Sequence, residues 1–137
     1  MIAGLIERIK QNEGYSETVY KCTAGYDTIG YGFAIKDLKL SEEISTIILT
    51  ELIENKLNHL AESLDWFSDM PPEVQGVICE MVFQIGFSGF CKFKRAIAHF
   101  KEKEFKHASE EMLDSKWAKK DSPQRAKRLA EVVWNHG

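Results

Sequence analysis

The stretch NEGYSETVYKCTAGYDTIGYGF, residues 12 to 33, sets three chemically competent side chains at fixed intervals: Glu13, eight residues, Cys22, five residues, Thr28. A carboxyl at a helix end, facing a small sheet, is a candidate general acid, and it works near neutral pH when partial burial favours its protonated form. The partner such an acid would want is a second carboxylate, yet the middle residue is a thiol. With an ordinary pKa near ~8.5 a free thiol is mostly neutral at pH 7, whereas an Asp would be ionised. A structural reading competes: a Glu before Gly is often just an exposed helix end, and Thr is a good strand former. Spacing alone leaves the two open.

The elements that must position these residues can be read from periodicity. Ile2, Leu5, Ile6 and Ile9 recur at helical spacing, so a short amphipathic helix is predicted over 2 to about 12, ending near Gly14 with Glu13 at its C-terminus. Short β-favourable pieces follow at Thr18 to Lys21, Tyr26 to Ile29 and Tyr31 to Ala34, broken by TAG and by Gly30 and Gly32, which predicts a small antiparallel sheet. Alternation along the second strand puts Tyr26 and Thr28 on one face and Asp27 on the other. Ser41 is a predicted N-cap, with Glu42 and Glu43 in the first turn, for a helix of about 22 residues and roughly 33 Å. MPPEVQGVICEMVFQIG opens with prolines and continues apolar on nearly every side, as a central buried helix would, with Cys79 packed inside it. GFSGF reads as a turn, and helices are predicted over about 90–101, 104–115 and 123–135, the last with Ser122 as N-cap and Pro123 at its first position.

The fold class expected is therefore α+β: a sheet lobe over about 14–40, a helical lobe made of 1–13 and about 65–137, and a connecting helix over about 42–64. Composition suits one compact domain, with 44% hydrophobic and 28% charged residues in 137. No apolar run of the ~20 residues needed to span a bilayer is apparent, and Glu7, Arg8 and Lys10 interrupt the opening segment where a signal peptide is apolar. Stable membrane insertion and export are not expected. Cys22, Cys79 and Cys91 lack C-x-x-C spacing, so reduced thiols are expected; the four histidines (His59, His99, His107, His136) lack partners at ligand spacing, and neither metal nor cofactor is predicted. The net charge of −3 hides an asymmetry of −8 over residues 1–90 and +5 over 91–137. The basic half is interleaved with Glu102, Glu104, Glu110, Glu111 and Asp114 and carries no nucleic-acid motif, which argues against a nucleic-acid partner.

The Glu-x8-Cys-x5-Thr pattern, together with TIGYG, MVFQIG (81–86) and SPQRAKR (122–128) in the same order, resembles the phage lysozymes of glycoside hydrolase family 24 along essentially the whole chain. The resemblance implies a lysozyme-like fold and an endolysin that hydrolyses the β-1,4 bond between N-acetylmuramic acid and N-acetylglucosamine in bacterial peptidoglycan. It implies Glu13 as the proton donor, Cys22 where many members carry Asp, and Thr28 holding the attacking water. Phe83 and Gln84 match positions lining the cleft beneath the sugar, although core packing explains Phe83 about as well. Arg125 matches the arginine that pairs with the catalytic glutamate. Three roles stay open for Cys22: a stabilised thiolate acting as base or nucleophile, a neutral thiol that leaves room for water, or none.

Phe33 replaces a histidine that many members pair with an acid. The segment between sheet and long helix is also shorter than in the T-even enzymes. The expected setting is a monomer in the host cytoplasm until a separate holin-type protein releases it to the periplasm and wall. Two alternatives compete with this reading: a lytic transglycosylase forming 1,6-anhydro ends, for which one glutamate suffices, and a non-catalytic peptidoglycan-binding module that kept the fold.

Overall fold

The computed structural model describes residues 1–137 and divides into two compact units, Met1–Thr46 and Ile47–Gly137. In the first, helix α1 (Ile2–Glu13) ends where Gly14 leaves the helix at φ 69°, and its N–H still caps the Lys10 carbonyl. A three-stranded antiparallel sheet follows in the order β1 (Ser16–Lys21), β2 (Asp27–Gly30), β3 (Phe33–Ala34), and a 3₁₀ turn at Ile35–Asp37 closes it. Register is set by Tyr20 opposite Thr28 and Lys21 opposite Asp27 on one side, and by Thr28 opposite Ala34 on the other. Thr28 is thus in the middle of the sheet.

The strand ends shift here, the first beginning at Ser16 where Thr18 is expected. The third strand starts at Phe33, not Tyr31, because Gly30 and Gly32 both take positive φ (69° and 75°) and turn the chain. The second strand starts at Asp27, so Tyr26 still belongs to the preceding turn and is about half exposed, while Thr28 is buried. Helix α1 lies in the same compact unit as the sheet, to which Gly14 and Tyr15 join it directly. Its apolar stripe is formed as predicted, yet Ile2, Leu5, Ile6 and Ile9 are all exposed.

Helix α2 (Glu42–Ser63) has the expected 22 residues, and the Ser41 hydroxyl accepts the Ile44 N–H at 3.1 Å as its cap. It starts in the first unit and continues in the second, where Leu60 is its one buried side chain. The second unit holds the large core. Helix α3 (Pro72–Cys91) supplies Val74, Val77, Ile78, Met81, Val82 and Phe90, and α4 (Lys94–Lys101), α5 (Phe105–Leu113) and α6 (Pro123–Trp134) add Phe100, Met112 and Val133. Trp66 stacks on Phe100 at 6.0 Å, and the buried Ser109 hydroxyl satisfies the Ala130 carbonyl at 2.7 Å, tying α5 to α6. By length and composition α3 is apolar enough to cross a membrane, contrary to the sequence expectation; its buried apolar side chains belong to this core, and Cys79 is among them.

GFSGF is not a turn. Gly86 alone leaves helical geometry (φ 81°, ψ 162°) and separates two helical segments, and helical geometry resumes to Cys91, so the expected break falls on one residue and not on the whole of GFSGF. That backbone region is essentially closed to residues with a Cβ. Replacing Gly86 with Ala is therefore expected to lower stability by about 1–3 kcal/mol, read as a fall in the urea midpoint at unchanged slope.

Candidate active site

The chemistry-bearing residues of the first unit are arranged by its turns. Glu13 is the last residue of α1, and its side chain runs against the α-carbon of Gly32 in the β2–β3 turn. A Cβ built on Gly32 would lie 2.9 Å from the Glu13 carboxyl carbon and closer still to its Oε2, so no side chain fits there unless the carboxyl moves. Between the two glycines Tyr31 packs its ring 5.3 Å from Tyr15 and 6.3 Å from Phe33, with Lys10 Nζ 5.2 Å over its face. Phe33, where the family resemblance implies histidine, is thus part of an aromatic cluster that stiffens the turn beneath Glu13.

Cys22 opens the β1–β2 turn. Its N–H donates to the Tyr26 carbonyl at 3.0 Å, and its carbonyl accepts the Gly25 N–H at 2.8 Å, with Gly25 at φ 85°. This curls the chain around the sulfur. The Tyr26 N–H lowers the thiol pKa most, partial burial opposes it, and the Ala24 N–H, the Thr28 hydroxyl and the Gly25 N–H lower it further. The net direction is down, towards thiolate. Thr28 is only 3% exposed, and its hydroxyl donates to the Tyr26 carbonyl at 2.9 Å, the same oxygen that accepts the Cys22 N–H. The first unit thus ties Cys22 and Thr28 to one oxygen, the Tyr26 carbonyl, and places Glu13 on the turn that follows β2.

The other three candidates lie in the second unit. Phe83 is 44% exposed, has Lys56 Nζ 5.8 Å over its ring, and lines a hollow of about 400 Å³ with Leu49, Ile53, Leu57 and Glu80. Its exposure tells against core packing. Arg125 lines the same hollow, and its Nε donates to Glu80 Oε2 at 2.7 Å; the resemblance implies Glu13, a residue of the first unit, as its partner. Gln84 is braced at both ends: Nε2 donates to the Ser122 hydroxyl at 2.6 Å, and Oε1 accepts the Trp117 indole N–H at 3.0 Å. Ser122 accordingly stands at the N-cap position of α6 without capping it by its side chain. Between them a five-residue π-turn, Trp117–Asp121, closes with the Ser122 N–H on the Trp117 carbonyl at 2.7 Å.

Gly32, Glu80 and the N–H groups of Ala24, Gly25 and Tyr26 were not singled out from sequence. The glycines of GYG and TAG were the visible signals for the first and last; nothing in the sequence pairs Glu80 with a residue 45 positions away. If Gln84 is chiefly a brace, Gln84→Leu leaves the buried Trp117 N–H without its acceptor, and a loss of about 1–3 kcal/mol is expected in urea unfolding; an unchanged midpoint would return Gln84 to substrate contact alone.

Comparison with known proteins covers all six candidate residues. The phage lysozyme family model matches residues 10–131. Two proteins of Dictyostelium discoideum are similar along nearly their whole length: "Probable T4-type lysozyme 1", 26% identical over 162 residues that cover 97% of this chain and 95% of the relative, and "Probable T4-type lysozyme 2", 27% identical over 161 residues that cover 96% and 94%. With the α+β architecture and a family match that runs from the end of α1 into α6, the chain belongs to the phage lysozyme family, whose function is lysozyme-like degradation of peptidoglycan.

Proposed function

We propose that the protein hydrolyses the β-1,4 bond between N-acetylmuramic acid and N-acetylglucosamine in bacterial peptidoglycan, with Glu13 as proton donor and Cys22, as thiolate, as its anionic partner. The observation that carries this reading is the carboxyl of Glu13 held on Gly32, in the same compact unit as a thiol whose surroundings favour its ionised form. An alkoxide is a poor leaving group, so protonation of the glycosidic oxygen by Glu13 is the step water does least well. As the bond breaks, positive charge develops on the sugar ring, and a nearby thiolate offsets it and accepts a proton from the attacking water. Cys22 thus does the work of an Asp by a different route: a carboxylate is charged by its own acidity, a thiol by the donors around it.

The hollow bearing Phe83 in the second unit offers an apolar face to a sugar ring. A second hollow of about 450 Å³, lined by Lys92, Lys94, Arg95 and Lys116 against Glu111 and Asp114, lies in the basic half of the chain, and its excess of cations suits an anionic wall. The protein acts in this reading as a monomeric endolysin, made in the host cytoplasm and released by a separate holin-type protein.

One observation favours a second reading. Thr28 is buried with its hydroxyl on the Tyr26 carbonyl, and a lytic transglycosylase, which closes the sugar without water, needs no threonine to hold one. Digestion of purified peptidoglycan in water enriched in heavy oxygen separates the two. One heavy oxygen at each new reducing end is the expected result; unlabelled 1,6-anhydro ends would establish the transglycosylase, and no released fragments would leave a wall-binding module. In the same assay Glu13→Gln is expected to lower turnover by roughly 10²–10⁴-fold. Gly32→Ala, which displaces the carboxyl without touching its chemistry, is expected to lower it by about 10²-fold.

A further inference from the structure

We propose that His99 and His107, brought together by the turn between α4 and α5, form a two-histidine site for one divalent transition-metal ion of the zinc–copper class, with Glu104 orienting His99. The site lies wholly in the second unit and is independent of the chemistry proposed for Glu13 and Cys22.

The two histidines are eight residues apart, which along one helix would separate them by about 12 Å. Only a reversal of the chain joins them. Helix α4 ends at Lys101 and α5 begins at Phe105. Between them Lys103 takes φ 58°, a conformation uncommon for a residue with a side chain, and its N–H donates to the Phe100 carbonyl at 3.0 Å. The Glu104 N–H donates to the His99 carbonyl at 2.9 Å. Phe100 and Phe105, one on each side of the turn, are both buried in the core, which fixes the end of one helix against the start of the next. The imidazole rings of His99 and His107 then stand 5.2 Å apart between centroids, tilted by 31°.

That separation fits a shared ion. Metal–nitrogen bonds of about 2.0–2.1 Å and tetrahedral angles place the centroids of two ligating imidazoles about 5 Å apart. The carboxylate beside the pair supports the same reading. Glu104 stands at the N-cap position of α5 without capping it, and its Oε1 lies 3.1 Å from His99 Nδ1. An ionised carboxylate only accepts hydrogen bonds, so Nδ1 carries the proton and the lone pair of the neutral ring is left on Nε2. A carboxylate behind a ligating histidine fixes its tautomer and ring orientation in this way and makes it a better ligand.

The pair is open to solvent: His107 is exposed, and the His99 side chain is 31% exposed. No cluster of three or more His, Cys, Asp or Glu stands ready to hold an ion, so water takes the positions the two rings leave. Imidazole suits Zn²⁺, Cu²⁺ and Ni²⁺, whereas Mg²⁺ and Ca²⁺ take oxygen ligands. Over residues 101–110 the charges of Lys101, Lys103 and Lys106 are balanced by Glu102, Glu104 and Glu110, so a cation meets no excess of positive charge there although this half of the chain is basic. An ion held by both rings cross-links α4 to α5 and stabilises the folded second unit by mass action.

The test is a calorimetric titration of the full chain with Zn²⁺ in a non-chelating buffer, thiols kept reduced, together with its melting temperature at rising Zn²⁺. The wild type is expected to bind one ion per chain and to melt at a temperature that climbs with metal concentration. His107→Gln and, separately, His99→Gln are expected to lose both effects. Glu104→Ala keeps both rings and removes only their support, so its Kd is expected to rise roughly 10-fold. His107 is at the surface, so its replacement tests the site even if His99→Gln does not fold.

Absence of binding by the wild type would overturn the proposal, because the rings would then merely stack. Binding that persists unchanged in His107→Gln would overturn it as well, since the ion would belong to the thiols or to the other histidines.

Discussion

The close approach of a carboxyl to a bare α-carbon is the constraint on which the site depends. Glu13 ends a helix and Gly32 ends a turn, and they meet because Gly14 and Gly32 adopt backbone conformations that side chains disfavour. The sheet then has little freedom: Thr28 has its register fixed on both sides, and the turn that begins at Cys22 closes onto Tyr26. Position in this small unit is set by hydrogen bonds and sterics at turns. Apart from Thr28 it has no buried side chain, so a large apolar core does not supply that precision.

The second unit is held together by different means. Its helices share one apolar core, and the polar atoms inside it are satisfied in pairs, as with Ser109 on Ala130 and Gln84 between Trp117 and Ser122. Gln84 shows how a residue assigned to substrate by position in a motif can be explained by packing. Its amide has a donor and an acceptor end, and the indole and the hydroxyl take one each.

Legibility followed the range of the interaction. Helices announced by 3.6-residue periodicity, α1 and α2 above all, appeared within a residue or two of their predicted ends, and the Ser41 cap was visible because capping is local. Glycine gave the right positions with ambiguous meaning: at 30 and 32 it turns the chain, whereas at 86 it interrupts the helix for one residue before helical geometry resumes. Contacts across tens of residues left no trace in the pattern, which is why Glu80 as the partner of Arg125 was missed. The resemblance pointed to Glu13, Cys22 and Thr28, but only the three-dimensional turn showed that the last two are joined through one carbonyl.

The donors that surround Cys22 are mostly main-chain atoms, and this bears on how such a site changes over generations. Mutation of Ala24 or Tyr26 alters a side chain and leaves the N–H where it is. The turn therefore offers its hydrogen bonds to whatever anion occupies position 22, oxygen or sulfur. A lineage can pass from one acid to the other through folded intermediates, without rebuilding the loop, so the chemistry of the site is freer to drift than its shape.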